Sequence, residues 1–188
     1  MQVLKEEIRE RIIKVAEDLF YKEGFEGTTT RNIAANVGIS VSNLYLYYEN
    51  KEDIFSAVIE TFYQYLNSRF EELLVHKNKV DNISDKIYKL VWDFIVKDQR
   101  KFIILADKSR GTKYEYSKTV VTQELKKHIC SLLPDTFHDK ELMSFILSHN
   151  LIDGIVEIAK NYRDERRLAD SLKHLIVYHA EGLKALLN

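Results

Sequence analysis

Apolar residues recur at intervals of three and four along most of the chain, which is the pattern of α-helices that bury one face. The first such segment runs from Lys5 to Lys22 and is followed by Gly24, a residue type that commonly ends a helix. Two short segments follow, RNIAANV and VSNLYLYY, each preceded by a threonine or serine that can cap a helix. A long amphipathic segment then extends from Lys51 to about His76. The pattern therefore predicts three N-terminal helices and one long helix.

The same periodicity continues to the end of the chain after a polar link at residues 76–82. It predicts five more helices, Ile83–Val96, Arg100–Lys108, Tyr116–Leu133, Lys140–Tyr162 and Asp164–Leu187. One proline and six glycines in 188 residues favour long, uninterrupted helices. We expect an all-α protein with an N-terminal three-helix domain, residues 1–50, joined by a long helix to a helical domain. That second domain comprises residues 51–188.

Composition indicates a cytoplasmic protein with no membrane segment. No uninterrupted apolar run approaches the roughly 18 residues that span a bilayer, and the start of the chain lacks the apolar segment of a signal peptide. Cys130 is the single cysteine and has no partner for an internal disulfide, which favours a reducing compartment.

Residues 30–48 have the spacing of a helix-turn-helix. Two helices that cross steeply need a small residue at their contact, supplied by Ala34, and a tight turn, which Gly38 permits. In such a pair the second helix enters the major groove of DNA. Its free positions here are short or aromatic, uncharged and mostly able to hydrogen-bond: Val41, Ser42, Asn43, Tyr45, Leu46 and Tyr47.

The charge of the chain argues against DNA binding. The formal net charge is −1, and residues 1–55 carry seven Lys and Arg against ten Asp and Glu, whereas DNA-binding domains are commonly basic. Any affinity for DNA must therefore depend on where a few donors lie rather than on bulk charge.

The stretch TTTRNIAANVGISVSNLYLYYENKEDIF resembles the signature of the tetracycline-repressor (TetR) family. The resemblance covers about the first third of the chain; the remainder agrees in length and helical character. It implies a homodimeric repressor without a cofactor, bound to double-stranded operator DNA when empty and released by a small-molecule effector. Two positions depart from the family pattern, Val41 and Leu46, and contact of both with thymine methyls would favour an A·T-rich operator.

The resemblance also assigns residue roles. Thr29 and Thr30 would begin the second helix at a phosphate, and further phosphate contacts would come from Ser40, Ser42, Tyr45 and Lys51. Asn43 and Tyr47 are the predicted base contacts, since Asn can pair with adenine through two hydrogen bonds. For Lys51 the alternative is an exposed lysine without a role in binding.

The helical domain offers weaker signals, each with a structural alternative. Aromatic and apolar residues of this domain either belong to the core or line an effector pocket. For the pocket we select Phe62, Tyr65, Leu66, Tyr88, Trp92 and Phe102. Helix 140–162 is apolar on more than one face and needs a partner for the second one. The predicted dimer seam, formed with the last helix, comprises Gly154, Ile155, Leu172 and Leu175.

Neither a catalytic nor a metal site is predicted. The sequence has no Gly-rich phosphate loop and no G-x-S-x-G motif, and none of its six histidines pairs with another His or Cys at helical i, i+4 spacing. The alternative function from another class is an all-helical ligand carrier or protein-interaction module whose N-terminal motif is purely structural.

Overall fold

The computed structural model describes residues 2–75 and 83–187, and within these ranges all regular structure is α-helical. The elements are α1 (Gln2–Gly27), α2 (Thr30–Val37), α3 (Val41–Leu44), α4 (Lys51–Val75), α5 (Ile83–Asp107), α6 (Ser117–Leu132), α7 (Lys140–Asn161) and α8 (Glu165–Leu187). The all-α prediction is confirmed, and most predicted ends agree to within a residue or two. The predicted polar link at residues 76–82 lies outside the described residues.

Two helices contain the interruptions that the sequence predicted. Gly24 has φ 74° and ψ 173° inside α1, so the regular helix stops there and a further turn leads to Gly27. In α5, Asp98 departs from helical geometry with φ −155° and ψ 65°. This interruption lies between the two helices predicted at Ile83–Val96 and Arg100–Lys108.

The chain forms two compact units, each made of separate stretches of sequence. Unit 1 comprises residues 1–65 and 100–115, and unit 2 comprises residues 66–99 and 116–188. The compact units thus divide α4 between Tyr65 and Leu66. The predicted boundary after residue 50, between the three-helix DNA-binding domain and the helical domain, stays a prediction.

Unit 1 is centred on a series of contacting aromatic rings. Phe55 of α4 contacts Phe20 and Phe25 of α1 at ring-centroid distances of 4.9 and 5.4 Å, both edge-on. On its other side Phe55 lies 5.9 Å from Tyr114, which in turn contacts Tyr63 at 5.1 Å. Such pairs add attraction to the burial of their apolar area. The series therefore connects α1, α4 and the turn after α5.

Polar contacts attach residues 100–115 to the same two helices. The Phe25 amide donates to Lys108 O at 3.0 Å, beside the break in α1. Arg100 bonds to Asp18 of α1, and both the Tyr114 hydroxyl and Lys113 Nζ bond to the Glu60 carboxylate of α4. Hydrogen bonds, that from Tyr114 above all, lower the pKa of the Glu60 carboxyl by more than burial raises it, so this pKa lies below its usual value. The segment is thus an integral part of unit 1.

In unit 2, α7 packs between α6 and α8. Helix α7 is long and apolar enough, by length and composition, to cross a membrane, although polar and charged residues interrupt its apolar sequence. One face of α7 is nevertheless buried in the chain's own core, at Ser144, Ser148, Leu151, Ile155, Val156 and Ala159. A core helix of a water-soluble protein meets the same test of composition.

The structure gives the four predicted seam residues contacts within the chain. A Cβ added to Gly154 would lie 2.9 Å from a Leu175 methyl group of the same chain. Ile155 and Leu172 are buried in the single chain, so they offer no surface to a partner. Gly154 therefore allows a close approach of α7 and α8 within one chain, rather than the predicted approach of two subunits.

Candidate nucleic-acid interface

Helix α2 begins and ends with well-formed caps. At its start the Thr29 hydroxyl accepts a hydrogen bond from the Asn32 amide at 3.1 Å, which satisfies one of the free N–H groups of the first turn. The three consecutive threonines differ in exposure: Thr28 is fully buried, Thr29 is exposed and Thr30 is half-buried. The predicted phosphate contacts, Thr29 and Thr30, are thus the two with access to solvent.

The turn between α2 and α3 requires the glycine that the sequence placed there. Gly38 has φ 79° and ψ 34°, the left-handed conformation, and its N–H donates to Ala34 O and Ala35 O. The next amide, Ile39 N, also donates to Ala34 O, at 3.0 Å. Side chains on both sides of the turn, Ile33, Ala34, Val37 and Leu44, are buried. The predicted helix-turn-helix is confirmed, and Ile39 in its turn is half-buried.

Helix α3 is shorter than predicted, four residues rather than eight. Ser40 caps it by accepting from the Asn43 amide at 3.1 Å. After Leu44 the chain continues in tight turns, in which Leu46 N donates to Asn43 O and Tyr47 N to Leu44 O. These i→i+3 bonds replace regular helix geometry because a short helix end commonly tightens in this way. The segment 41–48 stays wound, so its side chains keep separate directions.

The residues predicted to contact DNA from this segment are at least partly accessible to solvent. Ser40, Ser42 and Tyr45 are exposed, and Asn43 and Tyr47 are half-buried. Leu46 is 75% exposed and lies beside these polar side chains in the sequence. Tyr45 OH lies 3.4 Å from the Thr30 hydroxyl, so hydroxyl groups from α2 and from the turn after α3 share one surface. The arrangement presents hydrogen-bonding groups around an exposed apolar side chain.

Lys51 is more firmly held than the sequence suggested. Its Nζ donates to Phe25 O at 2.6 Å and to Thr28 O at 2.8 Å, and it lies 4.0 Å from the centre of the Phe25 ring. Partial burial lowers the pKa of the Lys51 ammonium, and nearby Glu26 opposes that shift. Two of its three donors thus join α4 to the end of α1. A phosphate contact by Lys51 stays a prediction and would use the third donor.

Sequence reasoning missed two arginines of α1. Arg11 Nη2 donates to Val37 O, the carbonyl of the last residue of α2. The Arg9 guanidinium lies 5.5 Å from the centre of the Tyr48 ring. Each pair is separated by more than 25 residues along the chain, so helical periodicity contains no signal for either contact.

The candidate effector residues fall in both compact units and are not gathered by one of them. Phe62, Tyr65 and Phe102 belong to unit 1, whereas Leu66, Tyr88 and Trp92 belong to unit 2. Within unit 2, Tyr88 and Trp92 are stacked, with ring centroids 6.0 Å apart and planes inclined by 16°. The pocket stays a prediction. Among the described residues no group of three His, Cys, Asp or Glu side chains is arranged to hold a metal ion.

Comparison with known proteins agrees with this geometry. The family model for bacterial regulatory proteins of the tetR family matches residues 12–58, which contain α2, α3 and the start of α4. The biofilm operon icaADBC negative transcriptional regulator IcaR of Staphylococcus epidermidis is 28% identical over 147 residues, covering 78% of this chain and 74% of that protein. IcaR of Staphylococcus aureus strain Newman is 25% identical over 135 residues, covering 69% and 71%.

Solved structures share the whole fold. The ketosteroid transcriptional regulator KstR2 of Mycobacterium tuberculosis matches with a TM-score of 0.67 at 16% identity, covering 93% of each chain. A regulator of the TetR/AcrR type from Aquifex aeolicus VF5 matches with a TM-score of 0.57 at 20% identity, covering 95% of this chain and 98% of that one.

Fold and interface together define a class, the all-helical DNA-binding regulators with an N-terminal helix-turn-helix. Within that class, the helix-turn-helix region at residues 12–58 matches the tetR family of bacterial regulatory proteins, which makes the chain similar to regulators of the tetracycline-repressor (TetR) family. Members of this family are DNA-binding regulators rather than enzymes.

The contacts of Lys51 lead to a prediction about stability. Replacing Lys51 with alanine removes a charged donor from two carbonyl groups, and we expect the free energy of unfolding to fall by about 1–3 kcal/mol. Lys22→Ala, which removes the same charge from an exposed position in α1, is the matched control and should change stability by less than about 0.5 kcal/mol. Urea denaturation followed by circular dichroism measures both. Equal stability of the two variants would show that the Lys51 contacts contribute nothing.

Proposed function

We propose that this protein represses transcription as a homodimer that binds a palindromic operator and leaves it when a small molecule binds. The observation that supports this most strongly is the surface around α3, where hydroxyl and amide side chains surround an exposed leucine beside a rigid, glycine-turned helix pair. IcaR, the relative from two staphylococcal species, is by name a negative transcriptional regulator. Repression is therefore favoured over activation.

The DNA contacts divide into positioning and reading. Thr29, Thr30, Ser40, Ser42 and Tyr45 are proposed to bond phosphates, which fixes the protein on the duplex. Asn43 and Tyr47 are proposed to reach base edges. The exposed Leu46 and the half-buried Val41 are proposed to contact thymine methyl groups, the apolar partners that the major groove offers.

A two-fold dimer presents two copies of this surface, so the operator should be an inverted repeat. Selection of bound sequences from random duplexes is expected to return a dyad. Repeating the selection with Asn43→Ala should relax the preference at one base pair in each half-site and weaken the best site by about 1–3 kcal/mol. Sites without a dyad, or an Asn43→Ala loss that is equal on all sequences, would contradict these assignments.

The proposed dimer surface consists of exposed apolar residues on α7 and α8, the same two helices that carry the seam residues predicted from the sequence. Leu142, Phe145 and Ile146 of α7 are 57%, 47% and 39% exposed, and Val177 and Tyr178 of α8 are 43% and 73% exposed. Solvent-facing apolar residues grouped on two adjacent helices favour burial against a second copy. The family is typically dimeric.

Phe145→Asp places a charge on that surface without disturbing the buried face of α7. We expect a folded chain that sediments as a monomer and has lost its operator affinity, because an unpaired charge is costly in an apolar seam. Leu46→Asp is the matched control: it makes the same kind of change on the reading surface and should stay dimeric while DNA binding is lost. A Phe145→Asp variant that remains dimeric would place the seam elsewhere.

An apolar or aromatic effector is proposed to bind near Trp92, with cytoplasmic location as for the family in general. The support is an aromatic-rich helical body joined to the reading unit through α4. Trp92 is the single tryptophan, so compounds that quench its fluorescence should weaken operator binding, by about five- to a hundredfold for typical coupled sites. Operator DNA should weaken their binding by the same factor. Tight quenching ligands without any effect on DNA affinity would contradict this coupling.

The alternative drawn from the sequence, an all-helical carrier or interaction module, has no support beside the match of residues 12–58 to the tetR family of regulatory proteins.

A further inference from the structure

Helix α1 contacts the chain just before and at the end of the segment 41–48, which carries α3. Arg11 bonds to Val37 O, immediately before the turn, and Arg9 lies over the Tyr48 ring, immediately after the proposed reading residues. Every side chain proposed to bond a base or a phosphate from α3 lies between these two contacts. The direction in which α3 leaves α2 is therefore tied to α1 by two cationic side chains.

The Arg11 contact satisfies a group that α2 leaves open. The last carbonyls of a helix have no partner within it, and here Ala34 O and Ala35 O accept from Gly38 N, with Ala34 O also accepting from Ile39 N. Val37 O accepts from the Arg11 guanidinium instead. A positive charge at a helix C-terminus is also favoured by the helix dipole.

Gly38 makes room for this guanidinium. A Cβ added to Gly38 would lie 3.2 Å from Arg11 Nη2, a separation tighter than ordinary van der Waals contact. The glycine thus meets two demands at one position, since its φ of 79° is also a conformation that other residues rarely adopt. Arg11 and Gly38 fit one another as parts of a single turn.

We propose that Arg11 is a positioning residue for sequence recognition: its bond to Val37 O fixes the turn at Gly38 and hence the orientation of α3 in the major groove. The inference rests on the proposed DNA-binding function and deepens it. A positioning residue should affect discrimination between sequences, because orientation decides which base edges the reading side chains reach. A phosphate contact would instead affect all sequences alike and lower the salt dependence of binding.

The test compares Arg11→Met with Lys14→Met, a matched control that removes the same charge from an exposed position three residues further along α1. Affinity is measured for the selected operator and for a scrambled duplex of the same length and composition, over a series of salt concentrations. For Arg11→Met we expect the ratio of operator to scrambled affinity to fall by about tenfold, the effect of one charge-assisted hydrogen bond. Its affinity for the scrambled duplex should equal that of Lys14→Met.

Arg11→Lys keeps the charge and moves the donor, so its ratio should lie between those of the wild-type protein and Arg11→Met. Circular dichroism at the assay temperature establishes whether each variant is folded. If Arg11→Met is unfolded, the comparison is made with Arg11→Lys instead. A ratio for Arg11→Met equal to that of Lys14→Met, or a ratio for Arg11→Lys equal to that of the wild type, overturns the proposal. A wild-type protein that does not distinguish the two duplexes would contradict the proposed function instead.

Discussion

The contact of Phe55 with rings from α1 and from the turn after α5 is the interaction on which the reading surface depends. Phe20 and Phe25 reach it from α1, and Tyr114 reaches it from a part of the chain almost 60 residues further on. Next to these rings, Lys51 stabilises the chain after the break at Gly24 by donating hydrogen bonds to Phe25 O and Thr28 O. The helix-turn-helix is thus supported by packing that its own sequence does not contain.

The same assembly accounts for the charge that argued against DNA binding. Residues 1–65 carry eleven Asp and Glu against seven Lys and Arg, whereas residues 100–115 carry five Lys and Arg against two Asp and Glu. Arg100 and Lys101 lie against Glu17 and Asp18 of α1, and Lys113 lies against Glu60 of α4. Bases from the second segment thus offset acids of the first within one compact unit. Exposed pairs of this kind add little stability, but they reduce the negative field that an approaching phosphate meets.

The reading surface itself is built from uncharged groups held by local caps. Thr29 and Ser40 each cap the helix that follows, and Gly38 closes the turn between the two helices. Such contacts span three or four residues, so they form wherever the short motif is present. Arg11 and Arg9 add contacts across longer separations, which set the direction of the motif rather than its existence.

The sequence alone determined the helices, most of their ends and the helix-turn-helix, because these follow from periodicity, caps and glycine positions within a few residues of one another. It also placed the interruptions at Gly24 and near Asp98, and it showed the family resemblance. Only the tertiary structure decided that residues 100–115 complete the unit carrying α2 and α3, that Lys51 bonds to α1, and that Gly154 packs against Leu175 of its own chain. An apolar stripe records that a face is buried, but not against which helix or in which subunit. That choice depends on contacts between residues far apart in sequence, which one amphipathic pattern cannot specify.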